Sequence, residues 1–441
     1  MSRLDGVSVL LLSWNGREHL ATCLEALAAQ EPPGVPWEIL VLDNGSRDGT
    51  ADWLRREHPG VRLHESPENV GFCRGNLRLA GAARYGALAL LNNDMRPRPG
   101  WLGTLVESLG TAPADVAAVS GLIVDWEGER LDFGRGLLTF DGHAFQLDFR
   151  RPLGAARIPA PGEELPFACG GNMLVRREAF FAAGAFDPDY FAYFEDVDLG
   201  WRLWSGGERV LAAPGAVAHH RASATSDRLG NYNRGLLFER NALLTVYKNL
   251  EPEWWERLLP AILLTFLSRT QTLLVEGNAG GETLTIDPYA PGGAVAVAAG
   301  PPAGAGASAP RRLARRGRAW LRRRALHLLG RAGGLPPPVR ALLAGEGDGG
   351  AGLWLGEPRS VAQLRALSFF LAQLDATAEK RRQIQARRRR SDADYFARFP
   401  LYLVPTYPGD AELFARPGFR AALPAGLPLV EARLEEIMEC R

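Results

Sequence analysis

The strongest restriction on the fold comes from the first 125 residues, in which short apolar runs alternate with segments of helical spacing. The predicted strands are VSVLLLSW, EILVLD, VRLHES and ALALLN, and the predicted helices between them are REHLATCLEALAAQ, DGTADWLRREH and GFCRGNLRLAGAARY. Strands joined by helices form right-handed crossovers and a mostly parallel sheet. The predicted fold class is therefore α/β, with helices flanking the sheet and any ligand at the carboxyl ends of its strands.

The regular alternation stops after residue 125, and the remaining segments divide the chain into four predicted regions. Residues 1–250 form the main α/β domain, residues 251–285 a helical extension, and residues 286–310 a low-complexity linker rich in Gly, Ala and Pro. Residues 311–441 are predicted to be a mostly helical, arginine-rich C-terminal region.

Composition excludes several classes of protein. The 441 residues are 46% hydrophobic, enough for a substantial core, and the net charge of +1 does not favour binding to nucleic acid. Four scattered cysteines without a CxxC pair indicate a reduced, cytoplasmic setting. The longest apolar run, residues 258–267, has half of the ~20 residues that a membrane-spanning helix needs, and no signal peptide is expected.

Polar residues follow three of the predicted strands. They are Asn15 after the first strand, Asp43 after the second, and Asn93 and Asp94 after the fourth. A carboxylate at this edge can bind Mg²⁺ or Mn²⁺, which favour one or two carboxylates together with substrate phosphates. The alternative for Asp94 is a turn or helix cap, and the alternative for Asp43 is a turn into a capped helix.

A third polar exit is the segment ENVGFCRGN, residues 68–76. Gly71 permits close approach of the backbone, and Phe72 could flank a nucleotide base. The start of the following helix favours negative charge, and Asn69 lies just before it.

Three acids crowd the segment YFAYFEDVDLGWRL: Glu195, Asp196 and Asp198. Like charges ~4 Å apart repel by about 4 kcal/mol at an effective dielectric constant of 20. Such crowding can raise one carboxyl pKa into the range of a general base. The alternative is that acids in the first turn of a helix stabilise its dipole.

Two adjacent histidines, His219 and His220, follow a short apolar stretch. In an extended strand their side chains point in opposite directions, so one of them could face the site. The sequence alone leaves open which one.

Together these segments resemble the family 2 glycosyltransferases of the GT-A fold, an inverting class that includes bacterial rhamnosyl- and galactofuranosyltransferases. The resemblance covers about residues 6–250 and rests on the order and spacing of six motifs, which are VSVLLLSWNG, ILVLDNGSRDGT, ENVGFCRGN, LLNNDMRPRPGWL, GGNMLVRREAFFAAGAFDPDYFAYFEDVDLGWRL and a following histidine. It implies a Rossmann-like, mixed and mostly parallel sheet. One departure is Asn92, which stands where the family's Asp-x-Asp motif has its first acid.

The resemblance implies a role for each candidate residue. Asp196 would be the catalytic base, supported by Glu195. Asp94 and His219, with His220 as the alternative, would hold a Mg or Mn divalent cation. The implied donor-binding residues are Asn15, Asp43, Asn69, Gly71, Phe72, Asn93 and Asp94.

The implied reaction moves a sugar from a nucleoside diphosphate donor, linked to dTDP, UDP or GDP, to a hydroxyl of a glycan or polyprenyl-linked acceptor. Its setting would be bacterial cell-surface polysaccharide assembly, and dTDP-rhamnose is the first expected donor. Two alternatives stay open, a sugar-nucleotide nucleotidyltransferase and a non-catalytic scaffold that binds a nucleotide sugar.

Two later segments raise the question of membrane contact. Residues 254–275 suit either an interfacial helix or a helix packed on the main domain. Residues 311–331 carry nine arginines and suit either binding to anionic lipid or a solvated helix or dimer contact. We therefore expect a cytoplasmic protein, with peripheral contact at the inner face of the membrane and a homo-oligomer both left open.

Overall fold

The computed structural model of the protein describes residues 4–221, 230–276 and 358–439. Its first half follows the predicted alternation, and the strands are buried because helices cover both faces of the sheet. The elements are β1 (Val7–Ser13), α1 (Arg17–Ala28), β2 (Trp37–Asn44), α2 (Thr50–Glu57), β3 (Arg62–Ser66), α3 (Gly71–Ala82) and β4 (Ala87–Asn92). Strands β1, β2, β3 and β4 are parallel.

The second half of the sheet is mixed. Its elements are β5 (Met95–Pro97), α4 (Trp101–Thr111), β6 (Val116–Asp125), β7 (Leu131–Phe133), β8 (Arg135–Leu138), β9 (Ala144–Leu147), β10 (Asn172–Arg176), α5 (Arg177–Ala182), α6 (Glu195–Ser205) and β11 (Arg209–His220). The order along the sheet is β3-β2-β1-β4-β10-β6-β11-β5, with β7 on β6. Strand β10 is antiparallel to both β4 and β6. The predicted mixed, mostly parallel α/β fold is confirmed.

Pairing between β5 and β11 decides the geometry of the site. The two strands are antiparallel, with Met95 opposite His220. The backbone N–H of Arg221 donates to the carbonyl of Asp94 at 3.0 Å. Two residues far apart in the sequence, Asp94 and His220, are therefore neighbours at the rim of the sheet.

The C-terminal region is helical and packs on the α/β domain. It contains α7 (Gly230–Asn249), α8 (Pro252–Glu276), α9 (Pro358–Ala372), α10 (Leu374–Arg387), α11 (Asp392–Arg398), β12 (Leu401–Leu403), α12 (Asp410–Phe414), α13 (Pro417–Ala422), β13 (Leu429–Glu431) and α14 (Leu434–Ile437). Helices α9 and α10 contact α7. The buried Arg269 joins the two regions because it pairs with Asp141 at 2.7 Å and Asp410 at 2.9 Å.

The structure leaves some of the sequence predictions untested. The predicted linker at 286–310 and the arginine-rich segment at 311–331 lie outside the described residues, and the four domain boundaries stay predictions. In the part of the chain that the structure describes, no helix is both long enough and apolar enough to cross a bilayer. Helix α8 packs one face against the core and exposes Leu263, Leu264 and Leu267 on the other.

Candidate active site

A cavity of about 350 Å³ lies at the carboxyl ends of β1, β2 and β4. Seven of the predicted site residues line it: Asn69, Gly71, Phe72, Asn93, Asp94, Glu195 and Asp196. The donor candidates from the parallel half of the sheet and the two acids of helix α6 therefore face one shared space. His220 also lines this cavity.

One end of the cavity combines Asp94, His220 and Asp132. The Nε2 atom of His220 is 3.5 Å from Oδ1 of Asp94, and its Nδ1 atom is 2.7 Å from Oδ2 of Asp132. The longer distance exceeds that of an ordinary N–H···O hydrogen bond. Among the described residues this buried Oδ1 of Asp94 has no hydrogen-bond partner. Burial lowers the pKa of His220, but Asp132 and Asp94 together raise it to about 10.

His219 faces away from the cavity. Its Nδ1 atom lies 3.1 Å from the carbonyl oxygen of Trp126, and its Nε2 atom accepts from Nε of Arg98 at 3.2 Å. Because successive side chains of a strand point to opposite faces, His220 takes the inward position. The cavity is therefore lined by His220, the alternative, and not by His219, the first choice from the sequence, and the metal-binding role of either stays a prediction.

Asn15 and Asp43, the residues expected to line the site at the ends of β1 and β2, do not line the cavity. Asp43 is buried, does not line the cavity, and accepts the backbone N–H of Ser46 at 3.0 Å. Asn15 also lies outside the lining, and its Oδ1 atom accepts the N–H of Arg47 at 2.7 Å. Both side chains therefore shape the loops that surround the cavity.

Asn44 takes the inward position next to Asp43. Its Nδ2 atom donates to Oδ1 of Asn69 at 2.8 Å, and its Oδ1 atom accepts the N–H of Val70 at 2.9 Å. Asn69 in turn accepts the N–H of Gly71 at 2.9 Å. These linked amides hold the start of helix α3 against the cavity.

The three acids of helix α6 differ in their surroundings. Asp196 accepts N–H groups from Gly170 and Val197, both at 2.8 Å. Asp198 is fully buried and pairs with Arg202 at 2.8 Å and Lys248 at 3.0 Å. Asp198 is therefore part of the core, whereas Glu195 and Asp196 line the cavity.

The two cavity acids have raised pKa values. Burial raises the pKa of Glu195 well above its usual range, and the neighbouring charges of Asp196 and Asp198 raise it further. Burial also raises the pKa of Asp196, although backbone N–H groups oppose the shift. Among the described residues Oε2 of Glu195 has no hydrogen-bond partner. A protonated Glu195 beside an ionised Asp196 is the arrangement that this electrostatic asymmetry favours.

A strained loop leads into helix α6. Phe191, Tyr193 and Phe194 all have positive φ, at 63°, 69° and 64°. The N–H of Ala192 donates to the carbonyl of Tyr190 at 2.7 Å, which closes a γ-turn centred on Phe191. Gly71 has φ +83°, and a Cβ atom there would lie 2.6 Å from the ring of Phe191. This close approach requires glycine and joins the donor side of the cavity to the loop.

Several lining residues were missed in the sequence: Asn44, Asp132, Gln146 and Cys169. Asn44 directly follows Asp43 and could have been found by extending the search at this strand end by one residue. Asp132 lies in the three-residue strand β7, which carries no motif. Its contact with His220 arises from pairing between distant parts of the chain.

The fold and the cavity define an α/β enzyme in which carboxylates and a histidine converge at the carboxyl end of a mostly parallel sheet. The family model described as Glycosyl transferase family 2 matches residues 8–181. The N-acetylglucosaminyl-diphospho-decaprenol L-rhamnosyltransferase of Mycobacterium tuberculosis is 30% identical over 244 residues, covering 50% of this chain and 78% of that protein. The chain belongs to glycosyl transferase family 2, and it is a glycosyltransferase.

Two further proteins are similar to this chain, one in sequence and one in structure. The O-antigen biosynthesis protein RfbC of Myxococcus xanthus is 34% identical over 240 residues, covering 51% of this chain and 18% of that protein. The mannosyltransferase PcManGT of Pyrobaculum calidifontis, solved with GDP-Man and Mn²⁺, is 18% identical with a TM-score of 0.44. That alignment covers 84% of this chain and 88% of the other. At this score the structural likeness carries no inference about ligands.

Proposed function

We propose that the protein is a metal-dependent, inverting glycosyltransferase that moves a sugar from a nucleoside diphosphate donor to a hydroxyl of a glycan or lipid-linked acceptor. The observation that supports this is the shared cavity, which has Asp94 and His220 at one end and Glu195 and Asp196 on helix α6. A diphosphate and an attacking hydroxyl must meet at one carbon atom, so both halves of the site have to open into one space.

The residues fit a divalent cation. The buried Oδ1 atom of Asp94 lacks a partner among the described residues, and the Nε2 atom of His220 lies 3.5 Å away. In the described ranges, no three His, Cys, Asp or Glu side chains converge as a complete metal site. The proposal therefore takes the remaining ligands of the Mg²⁺ or Mn²⁺ to be substrate phosphate oxygens and water. A cation here would offset the charge that develops on the leaving diphosphate.

Asp132 supports His220 in this arrangement. A metal-binding histidine usually places its second ring nitrogen against a carboxylate, which fixes the tautomer and the ring orientation. The 2.7 Å contact between Asp132 and Nδ1 of His220 has this form and leaves Nε2 directed at Asp94.

The base acts on the acceptor. Asp196 takes the proton of the acceptor hydroxyl as its oxygen forms a bond to the anomeric carbon. The bond from that carbon to the donor phosphate oxygen breaks, and the nucleoside diphosphate leaves from the opposite face. Configuration therefore inverts. Burial and the charge of Asp196 raise the pKa of Glu195, which favours its protonated form, and in that form Glu195 can donate a hydrogen bond to the acceptor.

The relatives favour a cell-envelope substrate. One acts, by its name, as a rhamnosyltransferase on N-acetylglucosaminyl-diphospho-decaprenol, and another serves in O-antigen biosynthesis. We propose dTDP-rhamnose as the first donor to test, a polyprenyl diphosphate-linked sugar as the acceptor, and peripheral attachment at the inner face of the membrane. The oligomeric state stays a prediction.

The test is a transfer assay with dTDP-rhamnose, UDP- and GDP-linked sugars, with Mn²⁺ or with a chelator. We expect metal-dependent release of nucleoside diphosphate together with an inverted glycosidic product. Asp196→Asn should abolish transfer while donor binding persists. A nucleotidyltransferase would instead release pyrophosphate from a nucleoside triphosphate, and a scaffold would bind the donor without turnover.

A further inference from the structure

The chain contains only two lysines, Lys248 and Lys380, and both contact the same carboxylate. Nζ of Lys248 is 2.6 Å from Oδ2 of Asp187, and Nζ of Lys380 is 2.6 Å from Oδ1 of Asp187. Lys380 also pairs with Asp189 at 2.5 Å. Lys380 belongs to helix α10 of the C-terminal region, so this region reaches the segment that precedes the catalytic acids.

Asp187 begins the loop that leads to helix α6. Its Oδ1 atom accepts the N–H of Asp189 at 3.1 Å and so caps the short 3₁₀ turn Pro188–Tyr190. The γ-turn centred on Phe191 follows at once, and helix α6 begins at Glu195. Only seven residues, 188–194, therefore connect Asp187 to Glu195 and Asp196.

The loop needs external support. Backbone conformations with positive φ at residues other than glycine persist only where the surroundings impose them. On one side, Nδ2 of Asn241 donates to the carbonyls of Tyr190, Ala192 and Tyr193 at 3.1, 2.8 and 2.7 Å. On the other side, the two lysines hold Asp187.

The two lysines differ in burial. Lys248 is only 1% exposed and also pairs with Asp198, so its loss would disrupt the core. The side chain of Lys380 is 31% exposed, and Asp187 keeps Lys248 when Lys380 is replaced. A change at Lys380 can therefore alter the loop while the fold is retained.

We propose that Lys380 is a positioning residue for sugar transfer: by holding Asp187 and Asp189 it fixes the loop that presents Glu195 and Asp196 to the acceptor. This inference rests on the proposed function. Helix α10, which lies outside the segment that the family model matches, would then contribute to sugar transfer through this contact.

The experiment compares Lys380→Met, Lys380→Arg and a matched control, Arg382→Met. Arg382 lies on the same helix, is 69% exposed and pairs with Glu379, away from the loop. Each full-length variant is assayed for kcat, for the KM of the donor and for thermal unfolding. Hydrogen exchange of peptides covering residues 187–198 reports on the loop without any turnover.

We expect Lys380→Met to lower kcat about tenfold to a hundredfold, as a misplacement of about 1 Å can do, with the donor KM changed by less than about threefold. Exchange in residues 187–198 should rise. Lys380→Arg should restore most of kcat because it keeps the charge, and Arg382→Met should match the wild type.

An unchanged kcat and unchanged loop exchange in Lys380→Met, with an active wild type, would overturn the inference and leave the proposed function standing. Equal losses in Lys380→Met and Arg382→Met, without rescue by arginine, would assign the effect to helix packing and also overturn it. A wild type that transfers no sugar from any donor would overturn the proposed function, while the exchange data would still decide whether Lys380 holds the loop.

Discussion

Two aspartates in the first turn of helix α6 should respond differently to the same change. Asp198 faces Arg202 and Lys248 within 3.0 Å and accepts from Nδ2 of Asn249 at 2.8 Å. Burial raises its pKa, but Arg202 and Lys248 more than offset this and hold the pKa below its usual range. Asp198→Asn removes a charge on which two buried cations depend.

The magnitude follows from these contacts. Breaking a buried ion pair by removing one partner costs about 3–5 kcal/mol. Lys248 retains Asp187, so the lower end, about 3 kcal/mol, is the expected loss in the free energy of unfolding. Asp196 has no such cationic partner among its described contacts, and burial disfavours its charge. Asp196→Asn leaves one of the two N–H groups without its acceptor but also removes a charge that burial disfavours, so the unfolding free energy should fall by about 1 kcal/mol, the lower end for a lost hydrogen bond.

Urea unfolding followed by tryptophan fluorescence measures both changes, because Trp201 and Trp204 are buried in the same helix. Asp198→Asn should shift the midpoint to lower urea, whereas Asp196→Asn should shift it much less and lose sugar transfer. If Asp196→Asn lost about 3 kcal/mol while Asp198→Asn stayed as stable as the wild type, the division of the acids into core and site would be refuted.

The remaining predictions concern the metal end, the base and the loop. His220→Gln should weaken Mn²⁺ binding by at least ~10-fold, which is the loss expected when even a residue that supports a metal ligand is removed. His219→Gln should bind Mn²⁺ like the wild type. Electron paramagnetic resonance with nucleoside diphosphate present measures both affinities. Because Asp196 must be ionised to act as a base and burial raises its pKa, kcat should fall as the pH drops through a value above the ~3.9 of a free aspartate; a profile flat down to that value would contradict the assignment. Gly71→Ala should raise the donor KM, since its φ of +83° and the ring of Phe191 leave no room for a methyl group, and an unchanged KM would show that the loop yields freely.

The sequence was sufficient for the parallel half of the sheet because local periodicity and turn residues determine those elements. The position of Asp94 at the cavity was predictable as well, since it lies two residues after the buried strand β4. Which of the two histidines faces the cavity was not predictable. Strand β11 has a register shift between Ala213 and Val217, which changes the alternation of side chains and defeats counting from the strand's start.

Contacts between distant segments were equally hidden. Asp132 reaches His220 through strand pairing, and Lys380 reaches Asp187 across 193 positions. Neither contact is marked by a local pattern in the sequence. The sequence also did not show which residue at the end of β2 lines the cavity. It is Asn44, the last residue of the strand, and not Asp43 before it.

The residues that line the cavity come from two stretches of the chain, one inside the segment that the family model matches and one beyond it. The proposed donor residues up to Asp94 lie inside the segment that the family model matches, whereas the proposed base Asp196 lies beyond residue 181, as does His220 beside Asp94. Under the proposed function, the matched segment binds the activated sugar, and the later stretch, which carries the base, can change to suit a new recipient. Exchanging the later stretch between relatives is thus a natural route to new linkages.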